Sequence, residues 1–258
     1  MSAVNTGAVI EVRNLSKAFG GVHAIEDLSF NVGPSTVLAI VGPNGAGKTT
    51  LINLLTGNYV ADAGTIDMFG TRVNGRPPEQ LARLGLSRTF QNLQVCMNMS
   101  AIDNVLIGAH LKMNDGLLTG ILQTTALRER EAHWRENARQ LLMFVGLGSF
   151  VHAMATQLSY GSLKRLEIAR ALIGEPRLVL MDEPAAGLNL SEKAEIAELI
   201  KSIAAQGVSV VLVEHDMKLV MGVSQRLLVL NHGRRLAFGA THEVRHDPAV
   251  IEAYLGAA

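Results

Sequence analysis

Two kinds of apolar patterning alternate along the chain. Val37 to Val41, Leu178 to Met181 and Val208 to Val213 are short runs with almost no polar interruption. Such runs predict strands buried on both faces. Between and after them, apolar residues recur at helical spacing. Leu51, Ile52, Leu54 and Leu55 follow Lys48 in a segment ending at Gly57. Leu163 to Ile173 is stopped by Gly174-Glu175-Pro176, and Glu192 to Ala205 is closed by Gly207. Lys218 to Val223 reads as helix and Arg226 to Leu230 as a further strand. Apolar strands separated by helices predict an α/β fold whose parallel sheet is covered on both faces.

The first ninety residues read differently. Ile10 to Val12 and Leu28 to Val32 predict short strands. Thr65 to Phe69 and Arg72 predict a β-meander, with turns at Asp62-Ala63-Gly64 and Asn74-Gly75. Up to Phe90, strands and turns dominate around one buried βα unit. From Ala101 to Phe150 the pattern is helical. Ser100 or Asp103 is placed to cap a helix containing Val105, Leu106 and Ile107. A second helical segment carries Leu127, Trp134, Leu141, Leu142 and Val145 and stops at Gly146. Gly116 to Thr125 has weak periodicity and reads as a mobile loop. The whole predicts one domain over 1–258: a core of 1–91 and 158–258 with a helical subdomain of 92–157 inserted. No internal repeat or low-complexity tract is evident.

Composition narrows the class. The chain has 258 residues, 48% of them hydrophobic, which suffices for a full core. Lys and Arg total 23 against 23 Asp and Glu, a formal net charge of +0. That balance argues against a general nucleic-acid binder, and 4% aromatics argues against base-stacking platforms. Cys96 is the single cysteine and forms no internal disulfide, which fits a reducing compartment. No apolar stretch approaches the roughly 20 residues that cross a bilayer. Met1 to Gly7 has no basic-then-apolar signal pattern. A soluble chain is expected, reaching a membrane only through a partner.

Gly42-Pro43-Asn44-Gly45-Ala46-Gly47-Lys48-Thr49 fits G-x-x-x-x-G-K-[ST] at every defined position, after a strand and at the start of a helix. The chemistry of this pattern is phosphate binding. Glycines let backbone N–H groups turn inward on phosphate oxygens, and the helix N-terminus adds positive potential. Lys48 is expected at the β- and γ-phosphates, the Thr49 hydroxyl on Mg²⁺, and Thr50 at the α-phosphate.

A second cluster sits at strand ends. Leu178 to Met181 is followed by Asp182 and Glu183. Ligands of parallel sheets collect at the C-terminal strand edge, so both acids are expected to face the phosphates. Asp182 suits the Mg²⁺ shell and Glu183 suits positioning or deprotonating an attacking water. Val208 to Val213 likewise ends in Glu214 and His215. His215 is expected near the γ-phosphate, whereas Glu214 reads as a solvated acid without a role.

Together these pieces resemble the ATP-binding cassette (ABC) subunits of membrane transporters. Phe19 in Lys17-Ala18-Phe19-Gly20-Gly21 stands where that family stacks an aromatic on adenine. Gln91 in Arg88-Thr89-Phe90-Gln91 matches the glutamine that joins core and helical subdomain. Leu158-Ser159-Tyr160-Gly161-Ser162 matches the signature segment, and Ala185-Ala186-Gly187-Leu188-Asn189 the dimer-contact loop. The chain departs from the family pattern at Tyr160 (usually Gly), Ser162 (often Gln), Asn189 (commonly Asp) and Gln225 (commonly Asp). Phe19-Gly20-Gly21-Val22, Arg165 to Arg170, Glu214-His215-Asp216-Met217, Val250 to Gly256 and the stretch between Leu111 and Ala126 resemble the LivG branch, which serves uptake of branched-chain amino acids.

The resemblance implies a RecA-like P-loop NTPase core with a mostly parallel sheet, an antiparallel β subdomain and an α-helical insert. It implies an ATPase using ATP and Mg²⁺, with Gln91 joining Thr49 and Asp182 around the metal and sensing γ-phosphate. Ser159 and Gly161 would complete the site of a facing subunit. Implied partners are a second ATPase subunit, two integral-membrane permease subunits and, indirectly, a periplasmic solute-binding protein. The chain would then sit peripherally on the cytoplasmic face of the inner membrane. Two other readings are open at this point: the same architecture with another solute (other amino acids, amides, urea, aromatic acids), or a soluble cassette ATPase outside transport.

Overall fold

The computed structural model describes residues 7–113 and 125–255. Most of the 116–125 stretch read as a loop, and of the 111–126 stretch assigned by resemblance, lies outside the described residues, as do Gly256 and the side chain of Leu127.

Two sheets organise the chain. Strands β1 (Ile10–Phe19), β2 (Val22–Val32), β4 (Ala63–Met68) and β5 (Thr71–Arg72) form an antiparallel sheet in the order β2-β1-β4-β5. Strands β3 (Val37–Val41), β6 (Leu86–Arg88), β7 (Leu178–Asp182), β8 (Ser209–Val213), β9 (Arg226–Asn231) and β10 (Arg234–Ala240) form the second, ordered β10-β9-β3-β8-β7-β6. All its pairings are parallel except β10 with β9. The parallel strands are the apolar runs of the sequence, and their uninterrupted character has a direct cause. Leu38, Ile40, Leu178, Leu180, Val211 and Val213 pack toward the antiparallel sheet and the Lys48–Leu55 helix. Val37, Val179, Met181, Val210 and Leu212 pack toward the helices of the opposite layer. Successive side chains leave opposite faces of a strand, and both faces are buried, so polar residues in these runs are confined to the strand ends, Ser209 and Asp182.

The second apolar layer is helical. The Ala101–Ile107 and Thr125–Phe144 helices pack on the Tyr160–Leu172 helix, with Val105, Trp134, Ala138, Leu142 and Leu166 all buried. Ser100 is the N-cap of the first of these: its hydroxyl accepts from the Asp103 amide at 3.2 Å. Among the described residues no helix is long and apolar enough to cross a membrane.

Several elements exceed the sequence expectation. The predicted short strands Ile10 to Val12 and Leu28 to Val32 belong to one long hairpin. Their alternation is broken where Asn14 and Asp27 both take left-handed backbone conformations (φ 49° each). Asn14 Nδ2 donates to Asp27 Oδ1 at 2.7 Å, and Ser16 and Ser29 hydroxyls accept the two freed amides. Short polar side chains thus substitute for ladder bonds across an irregular register. Residues 63 and 64 open β4 rather than completing a turn. The Pro78–Arg83 helix and strand β6 were not anticipated. The helix has six residues and one buried side chain, Leu81, and β6 has three residues, too few for any period to show.

The Leu190–Ala205 helix starts with a reciprocal cap. Asn189 accepts from the Glu192 amide at 3.0 Å, and Glu192 Oε2 accepts from the Asn189 amide at 3.0 Å. Asn189→Ala should lower unfolding free energy by about 1 kcal/mol in urea titration, with Asn189→Asp close to the parent. Equal losses in both variants would show that the cap contributes nothing.

Candidate active site

The segment 42–49 joins β3 to the Lys48–Leu55 helix, and its path requires glycine. Gly47 has φ 100°, and a Cβ there would lie 2.4 Å from the Ala24 carbonyl oxygen. A Cβ on Gly42 would lie 2.3 Å from the Leu230 carbonyl oxygen. The loop is therefore clamped between β2 and the β9 end. Lys48 is buried, and its Nζ donates to the carbonyls of Gly42 at 2.7 Å and Pro43 at 3.0 Å. Burial pulls its pKa below the usual lysine value, while the charges of Glu183 and Asp182 oppose that shift.

A cleft of about 320 Å³ opens beside this loop, lined by residues 44–50, Val22 to Ala24, Gln91, Asp182, Glu183, Val213 and His215. Asn44, Gly45, Ala46, Gly47, Lys48, Thr49 and Thr50 thus share one wall with the helix N-terminus, and Pro43 and Gly42 anchor its base. The acids at the ends of β7 and β8 have different environments. Asp182 is paired with Arg88, whose Nη2 donates to Oδ2 at 3.1 Å, while Nη1 donates to Asn53 on the Lys48–Leu55 helix at 3.0 Å. Glu183 is half-buried and in a left-handed backbone conformation, φ 49°, unusual for a side chain of this size. Its amide donates to Val213 O at 2.9 Å. Its carboxylate accepts from Gln91 Nε2 at 3.2 Å and from His215 Nε2 at 2.8 Å. Strain of this kind is maintained where surrounding bonds over-determine the position.

Glu214 is a correction to the sequence reading. It is 4% exposed, not solvated, and accepts from the amides of Ala185 at 2.9 Å and His215 at 3.0 Å. One buried carboxylate ties the loop after Glu183 to the strand end that carries His215. Arg88 was also missed as a site residue. In the sequence it was only a flanking letter of the Gln91 segment, and its partners lie 35 and 94 positions away.

Besides Gly42 and Pro43, three expected residues lie outside this cleft's lining. Phe19 ends β1, opposite Val22, and stands edge-on to Tyr59 with ring centroids 5.3 Å apart. Ser159 caps the Tyr160–Leu172 helix, accepting from Ser162 N at 3.2 Å. Gly161 is buried against the cap of the neighbouring helix: a Cβ there would lie 2.5 Å from Glu192 Oε1. Tyr160 is exposed and packs on Gly187, where an added Cβ would lie 3.1 Å from its ring. Ser159-Tyr160-Gly161 and Gly187 to Glu192 therefore form one contiguous surface.

The donor set fits a Mg²⁺–nucleotide. Among the described residues no three His, Cys, Asp or Glu side chains converge to hold a metal unaided. A hydroxyl, one carboxylate and an amide beside a phosphate cradle suit Mg²⁺, which takes its remaining oxygens from phosphates and water.

Fold and cleft together define a P-loop ATPase of the cassette type. Residues 25–186 match the family model described as ABC transporter, and residues 234–258 match that described as branched-chain amino acid ATP-binding cassette transporter. The high-affinity branched-chain amino acid transport ATP-binding protein LivG of Salmonella typhimurium is 41% identical, covering 97% of this chain and 98% of the relative. BraF of Pseudomonas aeruginosa, described in the same terms, is also 41% identical over 97% and 98%. The crystal structure of an ABC-transporter cassette in its ADP conformation superposes with a TM-score of 0.84 at 30% identity, over 97% of this chain and 100% of that one. A nucleotide-free cassette gives 0.83 at 31% identity, over 96% and 98%. The chain belongs to the ABC transporter family of ATP-binding subunits, and it is an ATP-hydrolysing enzyme.

The Lys48 shift carries a pH dependence. A depressed lysine pKa means that the free site binds its proton weakly, and a polyanion beside Nζ strengthens that binding. Nucleotide affinity should therefore fall as pH rises through the depressed value toward 10.5, the ordinary lysine value. Fluorescent-ATP titration across the alkaline range measures it. In Lys48→Arg, whose guanidinium stays charged, the slope should flatten, and an unchanged slope would remove Lys48 as its source.

Proposed function

We propose that this chain is the ATPase of an importer for branched-chain amino acids and that Glu183 orients the water that attacks ATP. The observation that supports this reading is the convergence of Gln91, Glu183 and His215, by hydrogen bonds of 3.2 and 2.8 Å, in the cleft that Lys48 and the glycine loop line. Backbone amides of 45–50 and the Lys48 ammonium hold the triphosphate. The Thr49 hydroxyl, the Asp182 carboxylate and the Gln91 amide oxygen would hold Mg²⁺. Mg²⁺ held there would supply neutralisation of phosphate charge. Glu183 accepts the water's proton or orients it, and His215 and Gln91 fix the carboxylate while it does so.

The other residues complete this scheme. Phe19 stacks on the adenine. Ser159 and Gly161 close the site of a second ATPase subunit; both lie outside the cleft of their own chain, Ser159 exposed and Gly161 directly beneath the exposed Tyr160. Residues 92–157 move as a helical subdomain about Gln91 and transmit closure to two permease subunits, supplied by a periplasmic solute-binding protein. The chain then lies peripherally at the cytoplasmic face of the inner membrane. The match over residues 234–258 and the LivG and BraF relatives favour branched-chain amino acids as cargo.

Glu183→Gln should keep ATP affinity within a fewfold of the parent and lose on the order of 10²–10⁴ in turnover, the usual contribution of a general base. Normal turnover would remove Glu183 from this role. In proteoliposomes carrying the assembled transporter, ATP hydrolysis should be stimulated by binding protein loaded with leucine, isoleucine or valine. Stimulation by urea or amides instead would overturn the cargo.

A further inference from the structure

The Tyr160–Leu172 helix carries Lys164, Glu167 and Arg170 at intervals of three, one stripe along its surface. A charged stripe is ordinarily solvated. Here Lys164 is 2% exposed and Glu167 is 5% exposed. Among the described residues neither forms an ion pair with a carboxylate or cation within 4.0 Å. Their hydrogen-bond partners are main-chain atoms of one irregular segment, and the Lys164 ammonium also lies 5.9 Å from the centroid of the Tyr160 ring. Lys164 Nζ donates to the Gln91 carbonyl at 3.2 Å, and the Phe90 amide donates to Glu167 Oε1 at 3.1 Å. One turn further, the Arg170 guanidinium donates to the Gln94 carbonyl.

Leu93 and Val95 of this segment pack against the helical layer, but its main chain makes few other hydrogen bonds. Residues 89–95 form no helix or strand. Upstream, Thr89 N donates to Leu180 O at 2.9 Å, and downstream Asn104 brackets Cys96. Between these anchors the hydrogen bonds to described main-chain atoms come from the charged stripe. Buried charges are retained only where their polar atoms are satisfied, and here each is satisfied by the peptide groups flanking Gln91.

We propose that Lys164 and Glu167 are positioning residues for Gln91. They bracket the Phe90-Gln91 peptide from both sides and aim the Gln91 amide at Glu183. They also make the helix that begins at Ser159 the support on which Gln91 rests, so a displacement of that helix moves Gln91 relative to Glu183. The inference rests on the proposed role of Gln91 and Glu183. Neither lysine nor glutamate touches the cleft.

The test is ATPase kinetics on the full chain in its assembled complex. Lys164→Met keeps the apolar stem and removes the donor. It should lower kcat about tenfold or more, as small misplacements of positioning groups do, with KM for ATP within about twofold. In a Gln91→Ala background the same substitution should cost nothing further, because its effect acts through Gln91. Lys164→Arg should restore part of the loss. An equal loss with and without the Gln91 side chain, or unchanged kcat, would overturn the proposal. Amide hydrogen exchange supplies the measurement that needs no turnover. In Glu167→Gln, which keeps shape and accepting oxygen, the Phe90 amide should exchange faster than in the parent while Leu180 and Val211 stay protected. Parent-like exchange at Phe90 would also overturn it. Should Glu183→Gln turn over normally, the role of Glu183 fails, whereas exchange at Phe90 still reports on the bracket.

Discussion

Two backbone approaches, each too close to admit a side chain, hold the rest of this site in place. Gly42 lies against the Leu230 carbonyl and Gly47 against the Ala24 carbonyl, so the phosphate loop is gripped by one strand from each sheet. The turn between β9 and β10 adds two bonds to the same junction: Gly233 N donates to Ala46 O at 3.1 Å, and Glu26 N donates to Gly233 O at 2.9 Å. Any Cβ at either glycine would push the loop away from the Ala24 and Leu230 carbonyls that hold it. The antiparallel sheet is thus part of the machinery that shapes the loop. Preorganisation of this kind lets N–H groups face a polyanion without rearrangement on binding.

At the carboxyl ends of β7 and β8, three acids of similar chemistry have three different environments. Asp182 faces the Arg88 guanidinium, which also reaches the Lys48–Leu55 helix, so the metal-ligand candidate and the phosphate helix share one cation. Glu214 is enclosed by backbone amides and holds loops. Glu183 lines the cleft without a cation partner like that of Asp182, in a left-handed backbone conformation. Position relative to partners, not residue type, separates the proposed metal ligand, the structural strut and the proposed base.

What the sequence displayed well were features with local causes. The runs at 37–41, 178–181 and 208–213 are visible because both faces of each strand are buried. The glycine loop is visible because phosphate chemistry demands a fixed spacing. The Ser100 cap is visible because capping acts over three residues. What stayed hidden depended on distant partners. Glu214 looks like any acid after a strand until the amide of Ala185 is brought 2.9 Å from it. Arg88, Lys164 and Glu167 look like surface charge until Asp182 and the 90–94 backbone fold over them. The β1–β2 hairpin was truncated in the sequence because its irregularity is repaired across strands, by Asn14 and Asp27, rather than within one.

The Tyr160–Leu172 helix connects these levels. Its first residues and its middle face different tasks. The N-cap Ser159 and exposed Tyr160 lie on a surface shared with Gly187 and the Asn189 cap, while Lys164 and Glu167 lie on the segment that aims Gln91. A helix is stiff over this length, so a force applied at its capped end is delivered to the peptide at Gln91 rather than dissipated. Under the proposed pairing of two subunits, phosphate bound on one chain meets Ser159 of the other. The same contact would then reset the geometry around Glu183 in the chain that lends the serine. A device of that form needs its middle buried and satisfied and its end exposed, and that is the distribution of charge and exposure along this helix.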